Sequence, residues 1–384
     1  MLTRDELAAW LRLCETPGLG RATARRLLSL FGSPEAVLAA PASALHEALA
    51  PRITRSLLQP SARIDALVEA TWTWLQESPP DAPRAIVTLG DAAYPEPLLH
   101  SPDPPLLLYT MGRVELLAAR SVAIVGSRHA SPSGLENAHR FARELSARRI
   151  TVVSGLALGV DAAAHDGALA EAGSTVAFVG TGLDRVYPSR HAELAGRIAR
   201  EGLLASEYSL GTPPLAIQFP RRNRLIAGLT SGTLVVEAAV RSGSLITARE
   251  ALEAGREVFA VPGSIHSPLA QGCHLLIQQG AKLVATVDDI LAELGDIRPA
   301  TTERPVRSRS LAPVTRTVES VPEPTTGDDA ALLAALGYDP LPFDLLAART
   351  GWPADRLAAR LLELELKGWV HRLPGGLLQR IAQT

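Results

Sequence analysis

Residues 121–180, SVAIVGSRHASPSGLENAHRFARELSARRITVVSGLALGVDAAAHDGALAEAGSTVAFVG, decide the fold. VAIVG, TVVSG and TVAFVG are short β-branched or apolar runs, each closing on a glycine. GLENAHRFARELSARR, between the first two, has helical period. TLVVEA, SLITAREALEAGR and EVFAVPG carry the alternation on to about Leu294. Buried strands alternating with helices predict an α/β fold, a mostly parallel sheet covered on both faces with right-handed crossovers. Ligands in such sheets bind outside the carboxyl ends of the strands.

Outward from this block the texture changes. Residues 1–78 read as a helical domain, with apolar residues at helical spacing on both sides of Pro17-Gly18-Leu19-Gly20. That is either a helix-hairpin-helix unit, whose turn amides can hold a phosphate, or a plain structural cap. A Pro-rich lead-in with short strands around Ile86–Leu89 and Leu106–Tyr109 opens the α/β domain, 79–295. Residues 296–327 lack apolar period and are rich in Pro, Thr, Ser, Arg and Glu, which predicts a flexible linker. Residues 328–384 return to three helices and two strand-like pieces around Pro374-Gly375-Gly376, a winged-helix pattern. Its LELEL segment is acidic, with Arg356, Arg360 and Arg372 as its few cations. A protein-contact or dimer role is therefore as good a reading of this domain as nucleic-acid binding.

Composition bounds the function. The 384 residues carry a formal net charge of −2, which excludes a wholly basic nucleic-acid coat. A polyanion must be met by a local patch. Only Lys282 and Lys367 among the 38 basic residues are lysine. The basic contacts are thus forked guanidinium groups, suited to phosphate and to base stacking. Cys14 and Cys273 form no disulfide framework or zinc spacing, and no apolar run reaches the ~20 residues of a membrane helix. MLTRDELAAW has no secretory apolar region, so the reading is cytoplasmic, with no membrane partner.

The informative residues gather at predicted strand ends: Gly126, Ser127 and Arg128; Ser154 and Gly155; Gly180 and Gly182; Ser242, Gly243 and Ser244. Four glycine-rich ends on one sheet edge predict a crevice for phosphate-bearing material. No G-x-G-x-x-G or Walker loop is present. FPRRNRLIAGL, 219–229, adds Arg221, Arg222 and Arg224 at a helix start, where cations oppose the helix dipole. Either they serve a bound anion or they pair with Asp184, Glu207 or Glu237. Phe219 is a base platform or a core residue. Asp161 and His165, at i and i+4 after Ser154, fix a loop or form a hydrolytic set, but the G-x-S-x-G elbow is missing. SGTLVVEA, with Glu237, leaves a nucleotide phosphoribohydrolase as the enzymatic alternative, without that class's double-glycine signature.

VAIVGSR, SGLALGVDAAAHDGAL, YPSRHAELA, FPRRNRLIAGL, GSLITAREALEAGREVFAVPG and QGCHLLIQQGAKLV, in this order, resemble the DNA-processing protein A (DprA, or Smf) family over nearly the whole chain. The resemblance implies an extended Rossmann-like domain that binds single-stranded DNA, shields it, and loads the RecA recombinase in natural transformation. It implies a homodimer without metal, nucleotide or catalysis. It places the pocket at Arg128, Phe219, Arg222, Asn223 and Arg224, with Gly126, Ser127, Gly155, Arg221, Gly243 and Lys282 completing the expected strand contacts. Two departures stand out: His274 replaces the family's asparagine, and Ser209 and Gly211 replace its usual proline-glycine turn.

Overall fold

The computed structural model of the chain describes residues 2–59, 61–295, 327–373 and 375–380. The linker expected over 296–327 lies outside the described residues except for Gly327.

The central element is a nine-stranded sheet: β1 (Arg84–Thr88), β2 (Leu107–Gly112), β3 (Ser121–Val125), β4 (Thr151–Ser154), β5 (Thr175–Phe178), β6 (Leu203–Ser206), β7 (Gly232–Val235), β8 (Glu257–Ala260) and β9 (Lys282–Leu283). Their order is β1-β2-β6-β5-β4-β3-β7-β8-β9. β2 runs antiparallel to both β1 and β6, and the other neighbours are parallel. Every residue of β3, β4, β5, β6 and β7 is buried, which is why these strands read as apolar runs without alternation. The α/β, mostly parallel reading is thus the observed fold. Two strands escaped it, the four-residue β6 and the two-residue β9. The Pro-rich lead-in supplies β1 and β2, which extend the same sheet.

From β3 the chain winds through β4 and β5 to β6 in one direction; β7, β8 and β9 go the other way from β3. The order therefore reverses between β3 and β7, which pair with Val125 opposite Val235. A crevice opens at the carboxyl ends of strands at such a reversal.

Among the described residues six helices precede the sheet, starting with Arg4–Glu15 and Arg21–Phe31. Thr3 caps the first in a capping box with Glu6. Gly18 turns the chain between the two with φ of 84°, a conformation glycine adopts at little cost. The core of these helices is continuous with one face of the sheet: Trp74 of the helix Ala62–Gln76 meets Tyr109 of β2 edge-on, ring centroids 6.0 Å apart. At the other end, helices Asp328–Leu336, Phe343–Thr350 and Ala354–Leu366 pack on a small sheet of β10 (Leu341–Pro342), β12 (Leu377–Arg380) and β11 (Val370–Leu373), in that order. This is a winged helix around a leucine core.

Candidate nucleic-acid interface

The crevice at the switch point is a cavity of about 560 Å³. Gly126, Ser127 and Arg128 enter it from the end of β3, and Arg241, Ser242, Gly243 and Ser244 from the segment after β7. Asp161 comes from the helix Val160–Leu169, and Phe219, Arg222 and Asn223 from the helix Gln218–Leu229. Three guanidinium groups thus converge with one carboxylate.

Helix geometry decides what each arginine of FPRRNR does. The helix starts at Gln218, so Phe219 and Pro220 lie in its first turn, where the missing proline N–H has no acceptor to lose. Arg222 turns inward with Leu225, Ile226 and Leu229. Its Nη1 donates to the Gly155 carbonyl at 2.6 Å and to the Phe178 carbonyl, and its Nε donates to Asn223 Oδ1 at 3.1 Å. The guanidinium is only 4% exposed, and burial pushes its pKa down to about 10. Among the described residues no carboxylate hydrogen-bonds to it, although the Asp161 charge offsets part of its own and the Arg128 charge adds to it. With three guanidinium groups against one carboxylate, the cavity wall favours an anion.

Arg224, expected in the pocket, does not line the cavity. Residues two apart on a helix point about 200° from one another. Arg224 therefore leaves the cavity side and donates to the Glu207 carboxylate and, at 2.8 Å, to the Asp103 carbonyl. Arg21 and Arg25 of the N-terminal helices reach the Asp103 carboxylate, and Arg21 also approaches Glu207. The cluster fastens the helical domain to the sheet. Lys282 also falls away from the cavity: it lies on the edge strand β9, paired with Glu293 at 2.7 Å. Arg221 is exposed, with no ion pair among the described residues.

Gly126 and Gly243 line the cavity, while Gly155 and Gly159 act behind its walls. A Cβ on Gly155 would lie 2.5 Å from Arg222 Nη1, so only glycine lets that guanidinium reach its carbonyls. Gly159 has φ of 75°, and a Cβ there would lie 2.2 Å from the Ser127 carbonyl oxygen. Gly243, by contrast, faces open space.

The Asp161–His165 pair holds the loop after β4. Asp161 Oδ2 accepts from the amides of Gly155 at 3.1 Å and Ala157 at 3.3 Å. His165 is fully buried; its Nε2 accepts from the Leu156 amide at 3.2 Å. Its Nδ1 therefore carries the hydrogen toward Thr175 Oγ1, 2.7 Å away. Burial pushes the His165 pKa down to about 3, aided by the Arg222 charge, while burial raises that of Asp161. Ser154 Oγ donates to the Ile124 carbonyl at 2.7 Å. The Ser154 hydroxyl also acts on the Asp161 carboxylate, and all three groups bond the backbone of the loop or its neighbours.

Glu237 is equally committed. Its carboxylate accepts from the Ser131 amide and hydroxyl at 2.8 and 2.5 Å, fastening the start of the helix Pro132–Ala147, and burial raises its pKa. His274, the departure from the family pattern, places Nε2 3.0 Å from the Gly263 carbonyl and does not line the cavity.

Arg241 and Tyr187 were not singled out from sequence. Arg241 stands two residues before Gly243, at a strand end already marked as informative. The Tyr187 ring packs on Phe219 with centroids 5.4 Å apart, and Arg128 Cζ lies 5.8 Å from the Phe219 centroid. On the third helix of the winged domain Arg356 pairs with Asp328, and Arg360 with Asp329 and Glu363; nearby, Lys367 pairs with Asp329. Leu362 and Leu366 of the same helix are exposed. This face presents neutralised cations and apolar surface.

Among the described residues no group of three or more His, Cys, Asp or Glu could hold a metal ion, and no helix is long and apolar enough to cross a membrane. Fold and crevice define an extended Rossmann-like α/β protein with an arginine-lined, glycine-walled switch point and an appended winged helix. Residues 85–295 match the family described as DNA recombination-mediator protein A, and residues 317–376 match the DprA winged helix domain. Protein Smf of Escherichia coli is 42% identical over 310 residues, 80% of each chain. DNA processing protein DprA of Streptococcus pneumoniae is 48% identical over 203 residues, 53% of this chain and 72% of the relative. The X-ray structure of the Streptococcus pneumoniae protein superposes with a TM-score of 0.65 at 37% identity, covering 73% of this chain and 95% of that one. DNA processing protein A from Helicobacter pylori, whose structure describes its single-stranded DNA binding mode, gives 0.50 at 31% identity, covering 54% and 95%. The chain belongs to the DNA recombination-mediator protein A family, the DprA/Smf proteins.

Proposed function

We propose that the chain binds single-stranded DNA in the switch-point crevice and acts as a recombination mediator. In this reading it shields the strand and delivers it to a RecA-type recombinase during natural transformation. It works in the cytoplasm as a homodimer, without catalysis, metal or nucleotide. Arg128, Arg222 and Arg241 meet phosphates, the loop amides add contacts that are neutral to sequence, and Phe219 takes a base. The observation that carries the reading is the charge imbalance of the cavity, which the buried Arg222 and the exposed Arg128 and Arg241 line with Asp161 as the one carboxylate among the described residues. Titration of a labelled oligo(dT) complex with single-stranded, double-stranded and mononucleotide competitors tests it. The single strand must compete best. Equal competition by AMP or CMP would transfer the site to a nucleotide-binding function. The mediator step is tested by the rate at which recombinase filaments form on strands precoated with single-strand-binding protein. That rate must rise with the chain present.

A further inference from the structure

The loop after β5 carries a feature that the crevice does not use. Tyr187 is 46% exposed, and it is the one aromatic among the exposed large hydrophobic side chains of the described residues. Aromatics make up only 4% of the chain, so an exposed ring is a costly use of a scarce residue type. The loop is not a loose strap. Ser206 Oγ donates to the Thr181 carbonyl at 2.6 Å, Thr181 Oγ1 donates to the Arg185 carbonyl at 3.1 Å, and the Gly211 amide donates to Asp184 Oδ1 at 2.9 Å. His191 Nδ1 lies 3.0 Å from the Leu156 carbonyl, which ties the loop's end to the loop after β4. The ring is therefore presented from a fixed position.

Its neighbours form a line. Arg128 borders the crevice and also a second cavity of about 700 Å³. Phe219 lies against Arg128, and Tyr187 against Phe219. Arg190, three residues beyond Tyr187, lines the second cavity and has no ion-pair partner among the described residues. The two rings are tilted by 39° and already in contact, so no base can enter between them. What remains open is the exposed part of Tyr187.

The geometry points to Tyr187 as a second base platform, outside the crevice, onto which a strand leaving Phe219 stacks its next base while Arg190 meets the following phosphate. The inference rests on the single-stranded DNA reading of the crevice and extends its path by one step. Stacking needs an unpaired base with a free face, so this step favours single over double strands without reading sequence.

The test uses the full chain with oligo(dT) and with an abasic oligomer of equal length, comparing wild type with Tyr187→Ala, Tyr187→Phe and Arg190→Ala. Tyr187→Ala is expected to weaken oligo(dT) binding by about 5- to 100-fold, the range for one lost stack. Tyr187→Phe keeps wild-type affinity, and binding of the abasic oligomer is the same in all the Tyr187 variants. The salt slope on oligo(dT) is unchanged in Tyr187→Ala and shallower by about 0.7 in Arg190→Ala. Tyr187 is half outside the fold, so an unchanged melting temperature certifies each variant. Wild-type affinity of Tyr187→Ala for oligo(dT), or an equal loss on the abasic oligomer, overturns the platform and leaves the crevice standing. A wild-type chain that does not bind oligo(dT) overturns the crevice reading itself.

Discussion

Arg222 Nη1 lies 2.6 Å from the carbonyl oxygen of Gly155, in space that a Cβ on Gly155 would occupy. The loop after β4 and the helix Gln218–Leu229 meet at this contact, and it places a buried cation in the crevice wall.

Replacing that glycine should therefore damage charge and packing together. Gly155→Ala forces Arg222 off its two carbonyls, an overpacking that costs about 1–3 kcal/mol. Urea unfolding checks the stability, and oligo(dT) titration should show weaker binding even where the variant is folded. Arg222→Lys keeps a charge but not the fork, and is expected to lose stability too, because one ammonium cannot reproduce the planar donor set.

The helical domain should separate from the sheet without loss of the DNA site. Removing Arg224 leaves Glu207, whose side chain is 9% exposed, with only the longer contact to Arg21. Breaking such a pair costs about 3 kcal/mol. Arg224→Ala is expected to lower the melting temperature and to expose the segment between the N-terminal helices and β1 to limited proteolysis. Its salt slope for oligo(dT) should stay at the wild-type value. A shallower slope would return Arg224 to the crevice.

Acid should destabilise the loop through His165. The native pKa near 3 lies below the ordinary value of 6.5. The unfolded chain therefore takes up a proton in that window that the native chain refuses. Stability is whole above pH 6.5 and falls as pH drops toward 3, by at most about 1.4 kcal/mol per pH unit from this group. Asp161, raised by burial, acts in the opposite sense and is present in both proteins compared. Melting curves of wild type and His165→Gln between neutral and acid pH should diverge. The variant, less stable at neutral pH, should lose less on acidification.

Much of the fold was legible because the buried strands are apolar throughout and punctuated by glycine. The crevice was legible in part for the same reason: Gly126 and Gly243 mark strand ends that line it, whereas Gly155 and Gly180, marked in the same way, do not. The differences between expectation and placement have physical causes. Arg222 and Arg224 were grouped because they are close in sequence, although helical period sends them to opposite sides. Arg224's partners, Asp103 and Glu207, come from distant segments, and no local pattern announces them. Tyr187 lies between Val186 and Pro188 in a loop without periodicity, so its packing on Phe219 could be seen only in three dimensions. Lys282 sits on a two-residue edge strand whose place depends on the whole sheet.

The central claim is that guanidinium groups from three separate segments meet phosphates in one crevice. The most direct measurement is the slope of log affinity against log salt for oligo(dT), wild type against the double variant Arg128→Ala, Arg241→Ala. Both side chains are exposed at the cavity, so the variant should fold normally. At about 0.7 per phosphate contact on single strands, the slope should become shallower by about 1.4, with affinity reduced at every salt concentration. An unchanged slope and unchanged affinity in the folded double variant would contradict the account.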